Sequence, residues 1–576
     1  MTRCLLRNSD TEWFLFREPR AVLTARCIAD VVPMLKTAET FVTGQEGYAA
    51  GYIAYEAAPA FDRALQTHAP GGLPLLMLGL FDAPQRLSEP PLTASANAQA
   101  ANWRMTTGRE QYIAHLANIR EQIALGNTYQ VNYTTRLTAD RALDAAALFA
   151  DIAADAPYAA LLEFSGHSIV SASPELFFRL DGAGLRCEPM KGTAERGLTT
   201  ETDKAQASTL QASTKNRAEN VMITDMIRND LGRVARPGSV TAASLYDLRK
   251  FPTVWQMTSS VTALSDSTIS DIFAALFPSA SITGAPKASS MQLIKRLEDT
   301  PRNVYTGAIG WIGPNRTAQF SVAIRTALIE HATKTATYGV GGGIVWDSIP
   351  DDEYRECLAK SRVLATTSDD RNFQLLETLR WTPDSGFHLL DYHLDRLVAS
   401  ADYFDFCCDR RSILAQLNAA MATATAAALR VRLTVTRAGI ATITMQNLSL
   451  PGKHTVLHIA KKPIDTGSPF VYHKTTQRRL YNEALDDVGP ADDVLLWNKS
   501  GEITESSIAN VVVRFGNKWV TPPVHCGLLA GTERRHSLSV GKITEEVVTL
   551  EQLRAADEIG LINSVRGWYP AELAAE

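Results

Sequence analysis

Residues 219–231, ENVMITDMIRNDL, read as a helix. At about 100° per residue, Glu219, Met222, Ile223, Met226 and Asp230 share one face, with Asp225 and Arg228 opposite. Glu219 therefore falls on an apolar stripe, where a carboxylate needs a cation or must neutralise. A second helix, DDEYRECLAKSRVL at 351–364, repeats the anomaly. Glu353, Glu356, Cys357, Lys360, Val363 and Leu364 fall on one stripe, and Arg355 and Arg362 face away. Just upstream, Gly339-Val-Gly-Gly-Gly-Ile-Val reads as a glycine turn that lets backbone N–H groups approach an anion. For either helix alone, a solvated face with a Glu356–Lys360 salt bridge is an equal reading. Together, carboxylates on otherwise apolar faces favour a hard divalent cation, and oxygen ligands suit Mg²⁺. The glycine run matches neither a Walker loop nor GxGxxG, which disfavours nucleotide binding.

The elements that must position these groups alternate between helix and strand. The chain has 576 residues, 45% hydrophobic and 21% charged, with a formal charge of −5. That composition is globular, and nothing in the charge balance points to nucleic acid or an anionic membrane. Seven scattered cysteines with no CxxC argue against a disulfide framework or a zinc site and fit a reducing cytosol. The N-terminal residues lack the apolar stretch of a signal peptide. An uncharged run, Ser412 to Leu429, holds Gln416 and Asn418 and reads as a buried helix, not a membrane span. Residues Phe81 to Asn102 read as a long loop, and Ala365 to Asn372 as a domain boundary. Beyond it, 373–397 restarts with strand-turn-strand character. Val431–Thr436 and Ile440–Met445, joined by Arg437-Ala-Gly, form a hairpin.

The first part of the chain resembles the chorismate-utilising enzymes: the anthranilate synthase large component, aminodeoxychorismate synthase component I, and isochorismate and salicylate synthases. The matching stretches are SASPELFFRL at 171–180, PMKGTAERG at 189–197 and AENVMITDMIRNDLGRV at 218–234. SITGAPKASSMQLI at 281–294, VYTGAIGW at 304–311, FSVAIRTALI at 320–329 and the run 338–360 continue the set. The resemblance implies a large α+β fold, with two packed antiparallel sheets flanked by helices around a Mg²⁺–chorismate site. By position it implies Glu219 and Glu356, with Glu353 beside them, as metal ligands. Tyr305 and Arg325, helped by backbone at Gly341 and Gly342, would clamp the enolpyruvyl carboxylate. Glu175 would be the general acid for the departing C4 hydroxyl, with Lys360, Thr193 and Thr283 lining the site.

Lys191 separates the branches. Anthranilate synthases carry a small residue in this PxxGT motif, whereas aminodeoxychorismate synthases carry PIKGT; here the text is Pro189-Met-Lys191-Gly-Thr193. The resemblance implies that a neutral amine there would attack C2 as the C4 hydroxyl leaves, and that ammonia would then add at C4. An alternative is a lysine that only neutralises the substrate's carboxylates. Gln256 stands where many relatives have His. Gln130 stands where water-using relatives have a lysine base, which argues against isochorismate or salicylate synthesis. No cysteine has a nucleophile-elbow context, so the resemblance implies a separate glutamine amidotransferase subunit as the ammonia source.

Lys474, just past a strand, means little alone. LLETLRW at 375–381, HLDRL at 393–397, EITESSIANVVVR at 502–514 and TPPVHCGLLAGTERR at 521–535 surround it in order. They resemble the fold-type IV pyridoxal-phosphate family of aminodeoxychorismate lyases and branched-chain and D-amino-acid aminotransferases. The resemblance implies that Lys474 joins pyridoxal phosphate and shuttles a proton, and that Glu505 pairs with the pyridine nitrogen. Arg396 and Thr532, with loop N–H groups near Ser506 and Ser507, would hold the phosphate, and Asn510 matches a further site position. Ser506 and Ala509 replace the family's Gly and Ser.

The expectation is a cytoplasmic α+β enzyme with three segments: 1–365, chorismate-binding; 366–372, linker; and 373–576, pyridoxal-phosphate-dependent. Chorismate and ammonia would give 4-amino-4-deoxychorismate, which the second domain would cleave to 4-aminobenzoate and pyruvate for folate biosynthesis. Mg²⁺ and pyridoxal phosphate are the implied cofactors, and a homodimer the implied assembly. The rival readings are an anthranilate synthase, a C-terminal aminotransferase, and a non-catalytic C-terminal dimerisation module.

Overall fold

The structure, a computed structural model, describes residues 1–91, 101–141, 143–365, 371–422, 424, 427–448 and 455–574. Residues 366–370 of the expected linker lie outside the described residues, as do 92–100 of the expected loop and 423, 425 and 426 of the uncharged run. Two compact units emerge: Met1–Glu195 with Ala207–Ser368, and Arg196–Gln206 with Asp369–Glu576.

The first unit contains two antiparallel sheets. One runs in the order Gly284–Ala285, Gln130–Ala139, Thr335–Ile344, Thr326–Glu330, His167–Ser173, Tyr158–Glu163, Arg3–Ser9, Glu12–Arg17, Gln85–Leu87. The other runs Met190–Glu195, Val254–Leu264, Gly184–Glu188, Leu176–Asp181, Thr317–Val322, Ala308–Gly313, Tyr48–Ile53, Leu76–Phe81, Ala21–Ala25. Side-chain alternation along each strand builds the layers. Cys4 and Leu6 point inward and join Phe14, Phe16, Ala50, Tyr52, Ile309 and Trp311 between the sheets. Leu5, Trp13, Leu15 and Leu161 point outward onto Tyr112, Leu116, Ile119 and Phe149, which come from helices Arg109–Ala124 and Ala145–Ile152. On the second sheet, Ala49, Ile53, Leu76 and Phe320 pack against Val31, Leu35, Ile223, Ile227 and Phe273 of the helices outside it. The result is the expected pair of packed sheets flanked by helices.

Helix Thr214–Gly232 begins at Ser213, whose hydroxyl accepts from the Asn216 N–H at 3.3 Å. Ile223, Ile227 and Leu231 seat it on the second sheet. As expected, Asp225 and Arg228 face solvent, paired with each other at 2.8 Å. The run Gly339–Gly343 departs from expectation. It is no turn but the end of the ten-residue strand Thr335–Ile344, in register with Gln130–Ala139.

In the second unit, Leu375–Thr382, Leu429–Val435 and Ala441–Asn447 form a small sheet with the two-residue strand Gly386–Phe387. The predicted hairpin is the Leu429–Val435/Ala441–Asn447 pair. Residue Leu390 onward is a helix to Phe404, because Leu394, Leu397 and Ala401 recur at helical spacing over the sheet. The uncharged run begins inside helix Arg410–Met421, which buries only Ile413, Leu417 and Met421 on one face. Ile503–Ser506, Asp493–Trp497, Thr455–Ile459, Gly567–Leu573, Glu558–Asn563 and Asn510–Phe515 close into a ring, sealed by the Glu505–Asn510 pairing. The segment Arg196–Gln206 belongs to this unit: the Arg196 guanidinium donates to the Tyr403 carbonyl at 2.9 Å and stacks over its ring.

All seven cysteines are free. Among the described residues, no helix is long and apolar enough to cross a membrane.

Phe320 is fully buried between Phe178 and Phe273, with ring centroids 5.4 and 5.0 Å away. Phe320→Ala should destabilise the first unit by about 3–5 kcal/mol, read as a lowered urea midpoint of that unit's unfolding transition.

Candidate functional site

The first site is a cavity in the first unit, walled by both sheets, helix Thr214–Gly232 and helix Pro350–Ser361. Glu175, Lys191, Thr193, Glu219, Tyr305, Arg325, Gly341, Gly342, Glu353, Glu356 and Lys360 all line it. Thr283 does not. Its hydroxyl is fully buried and donates to the Ser279 carbonyl at 3.0 Å, because the chain turns through Ala280–Ile282 just before it. Ser281, one turn earlier, takes the place at the wall.

The glycines work through space, not dihedral freedom. A β-carbon on Gly343 would overlap the Lys191 amine, and one on Gly339 would overlap the Tyr305 ring. At Gly342 it would crowd the Glu353 carboxylate at 3.1 Å. The Gly341 carbonyl accepts from the Lys360 amine at 2.8 Å.

Electrostatics divide the groups into roles. Burial pushes the Lys191 amine below the ordinary lysine value; Glu219, Glu356 and Glu353 oppose that shift, while the Lys360 charge adds to it. Glu175 is buried, and burial pushes it up to about 7 against the Ser281 hydrogen bond at 2.6 Å and the Lys191 charge. It is therefore substantially protonated at neutral pH. Burial and the neighbouring Glu356 raise Glu353, whose other oxygen accepts from Ser348 at 2.7 Å. Burial also opposes ionisation of Glu356, but Lys360 at 2.7 Å carries it below the usual carboxylate range. The Glu356–Lys360 salt bridge thus exists, and it sits on the cavity wall.

Arg325 stands in the left-handed backbone region, at φ 51°. Its guanidinium meets Gln256 Oε1 at 3.4 Å and the Phe251 ring at 5.2 Å, with no carboxylate partner among the described residues. Burial lowers its pKa, so a half-buried cation lines the cavity with no counter-ion among the described residues. Gln256, at the position where relatives have His, bridges Arg325 to the Thr193 hydroxyl, reaching the latter at 3.5 Å. Gln130 is fully buried beside Lys191, and neither of its amide atoms has a hydrogen-bond partner. Sequence reasoning missed Ser281, Lys215, Asn216, Asn132 and Tyr338, which also line the cavity. Of these, Ser281 and Tyr338 lie inside the matching stretches 281–294 and 338–360, Ser281 two residues before Thr283.

Among the described residues, no three acidic, His or Cys side chains form a ready metal cage. Mg²⁺ does not require one, because it is held by one or two carboxylates with waters and substrate oxygens. Glu219, Glu353 and Glu356 line this one cavity, and burial together with the neighbouring Glu356 charge raises Glu353; carboxylates gathered in this way are compatible with a cation among them.

The second site lies in the second unit. Lys474, Glu505, Arg396, Asn510 and Thr532 share one cavity. Lys474 follows a short 3₁₀ turn, Pro469–Val471, not a strand. Burial and the Arg396 charge bring its amine down to about 8, and it makes no hydrogen bond among the described residues. Burial pushes Glu505 up to about 7. Glu505 has only neutral donors: Tyr481 Oη at 2.8 Å, Asn510 Nδ2 at 3.2 Å and the Leu529 N–H at 3.2 Å. A buried carboxylate lacking a bonded cation suits a protonated ring nitrogen.

Arg396 donates through Nε and Nη2 to both oxygens of Glu377, at 2.9 and 2.7 Å. Burial resists this ion pair, yet Arg396 and His393 hold Glu377 down to about 2. The Thr532 hydroxyl contacts His393 Nε2 at 3.3 Å and opens helix Thr532–Ser539. The Ser506 and Ser507 N–H groups already have partners, the Ala509 carbonyl and Asp493 Oδ1. These two N–H groups are therefore already engaged, which leaves other N–H groups of the loop near them for the expected phosphate contact. Lys474, Glu505 and the Thr532 helix end nonetheless fit pyridoxal phosphate.

Comparison with known proteins agrees with this geometry. The model of the chorismate binding enzyme family matches residues 3–366, and that of amino-transferase class IV matches residues 374–573. The chain belongs to the chorismate binding enzyme family. It is 39% identical over 277 residues to anthranilate synthase component 1 3 of Haloarcula marismortui, covering 47% of this chain and 55% of that protein. It is 39% identical over 266 residues to aminodeoxychorismate synthase of Streptomyces griseus, covering 45% of this chain and 36% of that protein. The chain thus spans about half or less of the length of these relatives. Crystallised anthranilate synthase component I of Streptococcus pneumoniae superposes with a TM-score of 0.53 at 20% identity, covering 63% of this chain and 92% of that one, and shares the fold.

Gly343→Ala should displace the Lys191 amine without unfolding the strand. The expected result is an unchanged far-ultraviolet circular dichroism spectrum with a loss of about 100-fold in chorismate turnover.

Proposed function

We propose that residues 1–365 convert chorismate and ammonia to 4-amino-4-deoxychorismate, and that residues 373–576 cleave that product to 4-aminobenzoate and pyruvate. The supporting observation is Lys191: a primary amine, its pKa lowered by burial, in the same cavity as Glu175, which burial pushes up to about 7, and a rim of carboxylates.

In the first reaction Glu219 and Glu356, with Glu353 beside them, would hold Mg²⁺. When bound, the ion neutralises the ring carboxylate and fixes the ring. Arg325 grips the enolpyruvyl carboxylate through a forked contact that Lys could not make, beside Tyr305. The Lys191 amine forms a bond to C2 as the C4–O bond breaks, and Glu175 gives its proton to the departing hydroxyl, which leaves as water. Ammonia then bonds to C4 and the C2–Nζ bond breaks, restoring the lysine. The net change is amine for hydroxyl at C4. A glutamine amidotransferase subunit supplies the ammonia, with free ammonia as a poorer source.

In the second reaction, bound pyridoxal phosphate supplies the electron sink for deprotonation at the carbon bearing the amine. Lys474 takes that proton. Glu505 would pair with the ring nitrogen and keep it protonated, Thr532 and the helix it opens would hold the phosphate, and Glu377 fixes the Arg396 guanidinium in the same cavity. Loss of pyruvate leaves an aromatic ring, which makes the step irreversible. The chain would act in the cytoplasm, as a homodimer.

Purified protein given chorismate, Mg²⁺ and ammonia should release 4-aminobenzoate and pyruvate, while anthranilate as the sole aromatic product would contradict the reading. The acid form of Glu175 dominates below pH 7 and is lost above it, so at a fixed concentration of free NH3 the acid-dependent limb of kcat should decline as pH rises through about 7. Glu175→Gln should lower kcat by about 10²–10⁴ and remove that decline.

A further inference from the structure

The cavity around Lys474 contains arginines with no task in the cofactor chemistry. Arg430 and Arg432 lie two residues apart on strand Leu429–Val435 and so share one face; Leu429, Val431, Leu433 and Val435 fill the core on the other. Both arginines line the cavity that holds Lys474 and Glu505. Both are exposed, and neither has a hydrogen bond or ion pair among the described residues. The other arginines of the cavity are engaged. Arg396 is forked onto Glu377, Arg478 donates to the Ser507 carbonyl at 2.6 Å and stacks over Tyr481, and Arg566 stacks over Tyr569.

The register sharpens the anomaly. Arg430 stands directly opposite Arg380 on one neighbouring strand and Gln446 on the other; Arg432 stands opposite Thr378 and Thr444. None of these cross-strand neighbours is acidic. Like charges directly opposite in a sheet destabilise it, so the pattern gives up local stability for a cationic face. Among the described residues, the only carboxylate lining the cavity is Glu505, already bonded by Tyr481, Asn510 and Leu529.

We propose that Arg430 and Arg432 form a carboxylate clamp that selects, for the second site, an amine substrate carrying a carboxylate remote from its amine. The inference rests on the functional reading above and specifies it: 4-amino-4-deoxychorismate carries two carboxylates, both distant from the reacting amine. Two guanidinium forks on one strand face grip such a group with direction, where a lysine would act only as a point charge. A site for simple α-amino acids has no use for a second anionic anchor.

The test uses the holoenzyme and a rigid dicarboxylate, terephthalate, with benzoate as its one-carboxylate counterpart. Binding is read from the visible absorbance of the bound cofactor. Terephthalate should bind at least about tenfold more tightly than benzoate. R430Q/R432Q should abolish that preference while leaving the cofactor's own affinity unchanged, and R430K/R432K should retain part of it. Equal binding of the two probes to wild type, or a preference that survives R430Q/R432Q, overturns the clamp. Turnover separates the two ideas. Wild type that makes 4-aminobenzoate from 4-amino-4-deoxychorismate, with an unchanged KM in R430Q/R432Q, refutes the clamp and leaves the function standing. Wild type that prefers terephthalate but yields no 4-aminobenzoate supports the clamp and refutes the function.

Discussion

The first site depends on a strand face without side chains. Gly339, Gly341 and Gly343 stand opposite Arg136, Thr134 and Asn132 in register, so a row of polar groups faces a row of absent β-carbons. Into that space come the Tyr305 ring and the Lys191 amine. Glycine weakens a strand because it has no side chain to pack and loses most entropy on ordering. Here the loss is offset by pairing along the whole of Gln130–Ala139 and by the apolar layers on both sides of the sandwich.

The charges around that strand are arranged as opposing pressures. Burial disfavours every ionised form in the cavity, and each group escapes differently. Glu356 is rescued by Lys360, Glu175 holds its proton near neutrality, Lys191 leans toward the free base, and Arg325 stays a cation awaiting an anion. A second scaffold holds the wall in place. The fully buried Arg302 donates to Glu298 at 2.7 and 3.0 Å, to the Ile282 carbonyl at 2.9 Å and to the Asn132 carbonyl at 2.7 Å. It therefore ties two lining residues from different elements to one rigid cation. The second site follows the same logic with the roles exchanged: Lys474 is lowered, Glu505 raised, and Glu377 held ionised by its partners.

Helical periodicity made the carboxylate faces of Glu219 and Glu353–Glu356 legible, because an acid on an apolar stripe is a local signal. The same signal was present and unused at Glu377, which alternates with Leu375 and Leu379 on one strand face. The layered α/β class was legible from alternating elements and the quoted motifs. The glycine run was misread because composition shows conformational freedom but not the partner strand, and only the pairing reveals that the missing atoms matter more than the dihedrals. Thr283 was misplaced for a similar reason: one residue of phase in a short turn decides whether Ser281 or Thr283 reaches the cavity. The free arginines on Leu429–Val435 were invisible in sequence, since charge alternation on a strand ordinarily means a solvated face. Their lack of partners is a tertiary fact.

The central claim is that the Lys191 amine acts as a nucleophile toward the chorismate ring. It is tested most directly by incubating the protein with chorismate and Mg²⁺ without ammonia and analysing its peptides by mass spectrometry. The account predicts a mass addition equal to chorismate less water, confined to the peptide bearing Lys191 and discharged when ammonia is added. An unmodified Lys191 under conditions where ammonia supports amination would contradict it.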